Sequence, residues 1–230
     1  MPRTARLLID GGIYHVLTRG NNGQAVFKDP ADYQRYLQLL ATYKQEHALR
    51  VYHFALMPNH VHLILEVQFG RTLSKAMLGL NLSYSLFYRK RYGYSGHLWQ
   101  GRFKSLLIER DSYLLECGRY VELNPVRAGL VQDPRSYPWT SYKIYAEGLD
   151  DLLVDRDPLY ETFGTTLRDR QQRYQRFILE GLRQIPSDRF LPHRFGGSPT
   201  FVKRLEVQLG FSTARRRGRP RKLLLSTHEK

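Results

Sequence analysis

The pattern of apolar and polar positions divides the front of the chain into alternating strands and helices, with no internal repeat. Ile13 to Thr18 is a β-rich run, and Arg19-Gly20-Asn21-Asn22-Gly23 closes it in a turn. Asp29-Pro30 opens a helix that runs to about His47, with Tyr33, Tyr36, Leu37, Leu40 and Tyr43/Lys44 at the spacing of one face. Val51 to Met57 reads as a second strand, Pro58-Asn59 as a break and His60 to Val67 as a third strand, so a hairpin is expected between them. Thr72 to about Tyr92 is periodic and polar on one side, a helix that ends at Gly93, and Phe103 to Glu109 is a fourth strand. Asp111 or Ser112 can cap a further helix, which should stop near Asn124 because Pro125 disfavours helical geometry in the residue before it. The order β-α-β-β-α-β-α predicts an α+β fold: a ferredoxin-like antiparallel sheet with helices.

Behind Pro134 the pattern changes. Tyr137-Pro138-Trp139-Thr140-Ser141-Tyr142 is followed by a polar stretch and by helical segments around Asp157–Leu182 and Ser198–Leu209. Phe201, Leu205 and Leu209 recur at helical spacing, the ordinary sign of packing, and His193, like His97, has no partner at metal-ligand spacing. Three parts are expected: a core domain over residues 1–150, a helical appendage over 151–211 that docks on the core or on DNA, and a basic tail over 212–230.

Composition adds a partner. The 230 residues include 36 Lys+Arg against 21 Asp+Glu, a formal charge of +15 that calls for a polyanion. With 16 Tyr interleaved, nucleic acid is a better fit than a merely solvated surface. A 42% hydrophobic content at this length supports a real core, which excludes disordered and fibrous classes. No stretch approaches the roughly 18 uncharged apolar residues of a membrane span, and residues 1–20 carry charges where a signal peptide would be apolar. A cytoplasmic protein with no membrane partner is therefore expected. Cys117 is the sole cysteine, so neither an internal disulfide nor a cysteine-based zinc site can form. The basic residues crowd the end of the chain, at Arg215, Arg216, Arg217, Arg219, Arg221 and Lys222, where Gly218 and Pro220 prevent a helix interior. An extended Arg-Gly-Arg-Pro segment resembles an AT-hook that enters an A·T-rich minor groove; an unspecific electrostatic tail is the alternative.

The third strand holds the sharpest chemistry. In Pro58-Asn59-His60-Val61-His62-Leu63-Ile64-Leu65, period two sends His60 and His62 to one face and Val61, Leu63 and Leu65 to the other. Two neutral imidazoles on a stiff strand suit one divalent metal ion, although a His-x-His pair alone is more often structural. On the helix that begins near Ser112, Tyr113, Cys117, Tyr120 and Asn124 fall along one stripe. Tyr120 and Asn124 could set a phenolic and a carboxamide oxygen over the same metal, with Asn124 the third ligand and Tyr120 the nucleophile; spacing alone equally allows Tyr120 to be a core aromatic. Gly118 within the helix costs roughly 1 kcal/mol relative to Ala, so it implies either close backbone approach or a hinge.

Met57-Pro58-Asn59-His60-Val61-His62-Leu63-Ile64 resembles the His-hydrophobe-His segment of single-tyrosine (HUH) transposases of the IS200/IS605 class, and Arg119-Tyr120-Val121-Glu122-Leu123-Asn124-Pro125-Val126-Arg127-Ala128-Gly129-Leu130 resembles their tyrosine helix. The Tyr-x-x-x-Asn-Pro-Val-Arg-Ala-Gly form is similar to the REP-associated branch, which acts on repetitive extragenic palindromes. Thr18-Arg19-Gly20-Asn21-Asn22 and Gly96-His97-Leu98-Trp99-Gln100-Gly101-Arg102-Phe103-Lys104-Ser105 fit as well, so the resemblance covers about residues 7–145.

What the resemblance implies is a sequence- and structure-specific endonuclease and strand transferase for single-stranded DNA hairpins with REP- or BIME-like palindromes. Tyr120 would attack the scissile phosphate to give a 5′-phosphotyrosine and a free 3′-hydroxyl, with Mg²⁺ or Mn²⁺ held by His60, His62 and Asn124. Insertion-sequence members usually carry Gln where this chain has Asn124. A phenol near pKa 10 needs help in losing its proton, and metal proximity, Lys104 and bulk water are the candidates. Glu122 falls on a different helix face and reads as a surface charge. Trp99 and Phe103, interleaved with Gln100, Arg102 and Lys104, supply flat rings, an amide and phosphate contacts for unpaired bases, with partial core packing the alternative for the rings. Arg19, Asn21 and Asn22 lie in a turn within reach of base edges or phosphates, although turn chemistry also explains the asparagines. The chain reads as a monomer, nucleoid-associated in a bacterial cytoplasm when bound to DNA; exchange of the tyrosine helix in a dimer, hinged at Gly118, is the alternative. A ferredoxin-like module that grips DNA or RNA hairpins without cutting, and a hydrolase using His60 and His62 to activate water, are the competing functions.

Overall fold

In the computed structural model, which describes residues 6–183 and 195–209, the chain begins with β1 (Ile13–Arg19), α1 (Pro30–Glu46), β2 (Leu49–Met57) and β3 (His60–Val67). It continues with α2 (Gly70–Tyr92), β4 (Lys104–Ile108), α3 (Ser112–Glu122), α4 (Asn124–Arg127) and α5 (Tyr142–Ala146), and then with α6 (Leu167–Glu180), β5 (Phe195–Gly196) and α7 (Pro199–Leu209). The expected β-α-β-β-α-β-α order holds, and the four long strands lie antiparallel in the order β2-β3-β1-β4 of a ferredoxin-like sheet. His193 and the tail residues Arg215, Arg216, Arg217, Arg219, Arg221 and Lys222 lie outside the described residues.

Local chemistry explains where the elements begin and end. Asp29 Oδ1 accepts from the Ala31 and Asp32 N–H groups, and Pro30 sits in the first turn of α1 where its missing N–H costs nothing. Helix α2 stops where Gly93 turns left-handed at φ 57°. Period two along β3 then separates two cores. Val61, Leu63 and Leu65 join Tyr14, Val16, Phe54 and Leu56 beneath α1 and α2, while on the opposite face Ile13, Ile64, Leu106 and Ile108 pack against Leu114, Cys117, Tyr120 and Val121 of α3. The tyrosine helix therefore covers the sheet face that carries His62.

Three features differ from the periodicity. Helix α3 ends at Glu122, and Pro125 belongs to the first turn of α4, so the proline opens a new helical turn as well as limiting the old one. The helix expected from Asp157 begins only at Leu167, capped by Thr166 Oγ1, which accepts from Asp169 N at 3.1 Å; Tyr160–Phe163 forms a separate 3₁₀ turn ahead of Gly164. Finally, β5 adds a two-residue parallel edge beside β4, too short for any periodic signal. Helix α7 buries Phe201 and Leu205 as their spacing predicts, and the side chain of Leu209 lies outside the description. Among the described residues no helix is long and apolar enough to cross a membrane.

Candidate active site

Antiparallel register lays side chains in rows across the sheet. On the face covered by α3, His60 stands opposite Arg19, and His62 stands opposite Leu17, which in turn faces Lys104 on β4. Two residues further along, Ile64 stands opposite His15, which faces Leu106. His60 and His62 thus share one face, as period two requires, with ring centroids 4.9 Å apart. Arg19 and Lys104 stand on the same face, both exposed. Asn21 and Asn22 follow in an exposed 3₁₀ turn in which Asn22 takes φ 51°, a conformation asparagine tolerates better than most residues.

Helix α3 brings Tyr120 onto these histidines within the same chain. Its ring centroid lies 5.8 Å from His62 and 5.9 Å from His15, edge-on to both. Asn124 heads α4, and its Nδ2 donates to the carbonyl of Tyr120 at 2.8 Å and lies 3.4 Å from that of Val121, which leaves the carboxamide oxygen as its donor atom for a cation. The guanidinium of Arg127 sits 5.7 Å from the Tyr120 ring centroid and donates to the carbonyl of Gly181.

Hydrogen bonds set the histidine tautomers. Asn59 Nδ2 donates to the carbonyl of Gly23, which turns its Oδ1 toward His60 Nδ1 at 2.6 Å. His60 therefore carries its proton on Nδ1 and keeps the Nε2 lone pair for a ligand. Burial, and then the charge of Arg19, push its pKa down to about 4. Burial, with His15 and His60 as further causes, holds His62 well below its ordinary value, so both imidazoles are neutral at pH 7. His62 Nδ1 meets His15 Nε2 at 2.8 Å in a nearly parallel, buried ring pair. One proton is shared across that contact. Only when His62 donates it does His62 Nε2 retain a lone pair for metal.

The donor set around these histidines is short of carboxylates. Among the described residues no group of three or more His, Cys, Asp or Glu could hold a metal. Two imidazoles alone do not complete a coordination shell, but the carboxamide oxygen of Asn124 and a phosphate oxygen of the substrate are the hard donors Mg²⁺ and Mn²⁺ favour, so the residues fit such an ion.

Some expectations are corrected here. Glu122 is fully buried, not a surface charge. Its Oε1 accepts from Ser141 Oγ at 2.7 Å and lies 3.0 Å from His53 Nδ1, and its Oε2 accepts from Tyr174 OH at 2.9 Å. The other His53 nitrogen lies 3.4 Å from Asp157 Oδ2. Gly118 is explained by close approach: a Cβ there would stand 2.7 Å from His53 Nε2. The rings of Trp99 and Phe103 are buried in the core on the opposite side of the sheet, where the Trp99 indole meets Tyr36 and Tyr84. Packing takes most of both rings, the alternative that the sequence left open. Gln100 and Arg102 are exposed, and the Gln100 N–H donates to the Arg19 carbonyl at 2.7 Å. His15, Asn59 and Arg127 escaped the sequence reading as site residues; Arg127 continues the stripe of Tyr120 and Asn124 at helical spacing and Asn59 adjoins His60, whereas only the register reveals His15.

The sequence model of a family described as "Transposase IS200 like" matches residues 9–124, the half of the chain that holds His15, His60, His62 and Tyr120. The chain belongs to the IS200-like transposase family. As a member it resembles a curated protein of Haemophilus influenzae named as a REP-associated tyrosine transposase, at 29% identity over 44% of this chain and 69% of that protein. A solved structure of a REP-associated tyrosine transposase bound to a REP hairpin matches this transposase with a TM-score of 0.55, covering 68% of this chain and 93% of that one. At 20% identity the likeness is one of fold.

Proposed function

We propose that this transposase is a metal-dependent endonuclease and strand transferase for single-stranded DNA hairpins of the REP palindrome type, working through a 5′-phosphotyrosine on Tyr120. The observation that carries the reading is the approach of the Tyr120 ring to within 5.8 Å of His62, beside His60, in one chain. In the proposed step the Tyr120 oxygen attacks the scissile phosphorus, the bond from phosphorus to the 3′-oxygen breaks, and the departing strand takes up a proton as a 3′-hydroxyl. The phosphotyrosyl bond replaces the phosphodiester, so a 3′-hydroxyl can reverse the step without ATP. Bound Mg²⁺ or Mn²⁺, held by His60, His62 and Asn124, supplies charge neutralisation on the phosphate. Arg127 lies where a cation favours negative charge on the phenol, and Arg19 and Lys104 line the same face for phosphates. Because phenol and imidazoles meet within one chain, the site is read as complete in a monomer.

The test is incubation of the protein with end-labelled single-stranded hairpins and Mn²⁺, followed by denaturing electrophoresis. A labelled band that migrates with the protein is the expected result. Cleavage without such a band would indicate water activation by the histidines, and hairpin binding with neither would leave a gripping module.

His15 acts on this site as a positioning residue, by accepting the Nδ1 proton of His62. His15→Phe keeps a ring in the buried space but removes the acceptor, and Mn²⁺ affinity of the protein alone should fall about 10- to 100-fold. Titration followed by electron paramagnetic resonance measures it; unchanged affinity would show that the pair is packing only.

A further inference from the structure

On the side of the sheet away from the histidines, α2 leaves part of its surface uncovered. Leu78, Leu82 and Leu86 recur every four residues and are 69%, 57% and 55% exposed, an apolar stripe on a helix whose opposite side is buried in the core. Eight residues of helix make the stripe about 12 Å long. The loop ahead of β4 stands beside it and encloses with it a groove of about 530 Å³. Arg6, Arg89 and Arg102 are the charged residues that line the groove, with no carboxylate among the lining. Arg6 sits over the Phe103 ring, 3.7 Å from its centroid, and donates to the Phe103 carbonyl, while Arg89 donates to the carbonyl of Gly96 at 2.7 Å. Burial and then the charge of Arg102 hold Arg6 below its ordinary pKa, so like charges crowd an apolar surface that offers them no counter-charge.

We infer that this groove is a docking surface for an acidic amphipathic helix of a partner protein, its apolar residues packed on Leu78, Leu82 and Leu86 and its carboxylates paired with Arg6, Arg89 and Arg102. Spacing and charge together select this occupant. A row of apolar side chains at i, i+4 and i+8 is the surface into which a second helix sets its own anchors at i, i+3 or i+4, and i+7. The arginines call for negative charge beside those anchors. Nucleic acid would answer the arginines but not the leucines. Unpaired bases stack on flat rings, and the two large rings of the groove, Trp99 and Phe103, are only 9% and 7% exposed. A second copy docked by the same face would press its own three arginines against these, and the end of the chain, basic from Arg215 to Lys222, would be repelled likewise.

The experiment compares the intact wild type with the double variant Leu82→Gln, Leu86→Gln, two exposed and charge-neutral changes to good helix formers. The probe is a fluorescent synthetic helix with leucines repeating at i, i+4 and i+7 and glutamates on its other face; a scrambled peptide of the same composition is the control. Fluorescence anisotropy should show wild type binding the amphipathic peptide, with about a tenfold loss in the variant, a similar loss for the scrambled peptide, and weakening as salt is added. No binding by wild type overturns the assignment. Equal affinity of the variant, or of the scrambled peptide, also overturns it, since attraction to a basic protein would then be enough. Sedimentation of wild type as a dimer that the variant abolishes overturns it in favour of a second copy. A single-stranded oligonucleotide, or a peptide of residues 210–230, that binds wild type and loses the same factor in the variant overturns it in favour of nucleic acid or of the chain's own end.

Discussion

Tyr120→Phe should abolish the protein–DNA adduct and lower strand cleavage by a factor on the order of 10⁴ or more, because the substitution removes the one oxygen that forms the new ester. The ring itself stays. It is only 9% exposed and packs edge-on against His15 and His62, contacts that phenylalanine reproduces. Hairpin affinity should therefore stay within about twofold and the melting temperature within a few degrees, roughly the effect of one lost hydrogen bond. Denaturing gels of labelled hairpin, with anisotropy on the same preparations, separate the two effects. Cleavage that survives the substitution removes Tyr120 as nucleophile. Loss of binding together with loss of cleavage would mean that the phenol grips DNA.

The second large effect is expected at the ion cluster that holds the tyrosine helix down. Glu122 follows Tyr120 by two residues, and its carboxylate is buried between His53, Ser141 and Tyr174, with Asp157 on the far side of the imidazole. Glu122→Ala leaves that imidazole short of one of its two carboxylates and should cost about 3–5 kcal/mol, read as a shift of the denaturant midpoint. Gly118→Ala is a sharper probe of the same cluster. Helix propensity alone favours alanine by about 1 kcal/mol, yet the new methyl would meet His53 Nε2 at 2.7 Å. His53 cannot yield, because both its nitrogens are engaged and its ring stacks on Tyr145 at 4.6 Å. The net effect should be a loss of about 1–3 kcal/mol, opposite in sign to propensity; a stabilised variant would refute the close contact.

The cluster also sets a pH dependence. Burial alone would lower the pKa of His53, but hydrogen bonds and charges from Asp157 and Glu122 outweigh it and raise the value to about 9. An imidazole whose folded pKa exceeds its unfolded value of about 6.5 contributes stability that is complete below that value and is lost as pH rises through the folded one. The melting temperature should therefore fall between about pH 6.5 and pH 9, and His53→Gln should flatten that slope. A wild-type profile that is flat over this interval would show that His53 is already neutral in the folded chain.

The element order was legible because each strand and helix writes its own period into a few consecutive residues. The shared face of His60 and His62 follows from two residues of pleat, and the stripe from Cys117 to Asn124 from two turns of helix. Where punctuation had a second meaning the reading slipped: Pro125 limits one helix and opens the next, and the helix expected around Asp157–Leu182 starts only after its cap at Thr166. Glu122 was misread for a different reason. Helix periodicity tells which residues share a face, and α3 is covered on more than one, by the sheet and by α6. Trp99 and Phe103 were offered to unpaired bases because Gln100, Arg102 and Lys104 interleave them, with core packing as the alternative, and burial of both rings in the core follows the alternative.

The chain's own residues, read without a structure, determined a ferredoxin-like order of elements, two imidazoles on one face, a tyrosine at helical spacing from an asparagine, and a charge suited to a polyanion. Each is a matter of backbone geometry over a few residues or of a simple sum. Tertiary structure decided the rest: His15 against His62 across 47 residues, Glu122 against His53 across 69, and Asp157 against His53 across 104. Those contacts arise from strand register and from which surfaces meet, and both are set by burying the whole chain at once, not by any local pattern.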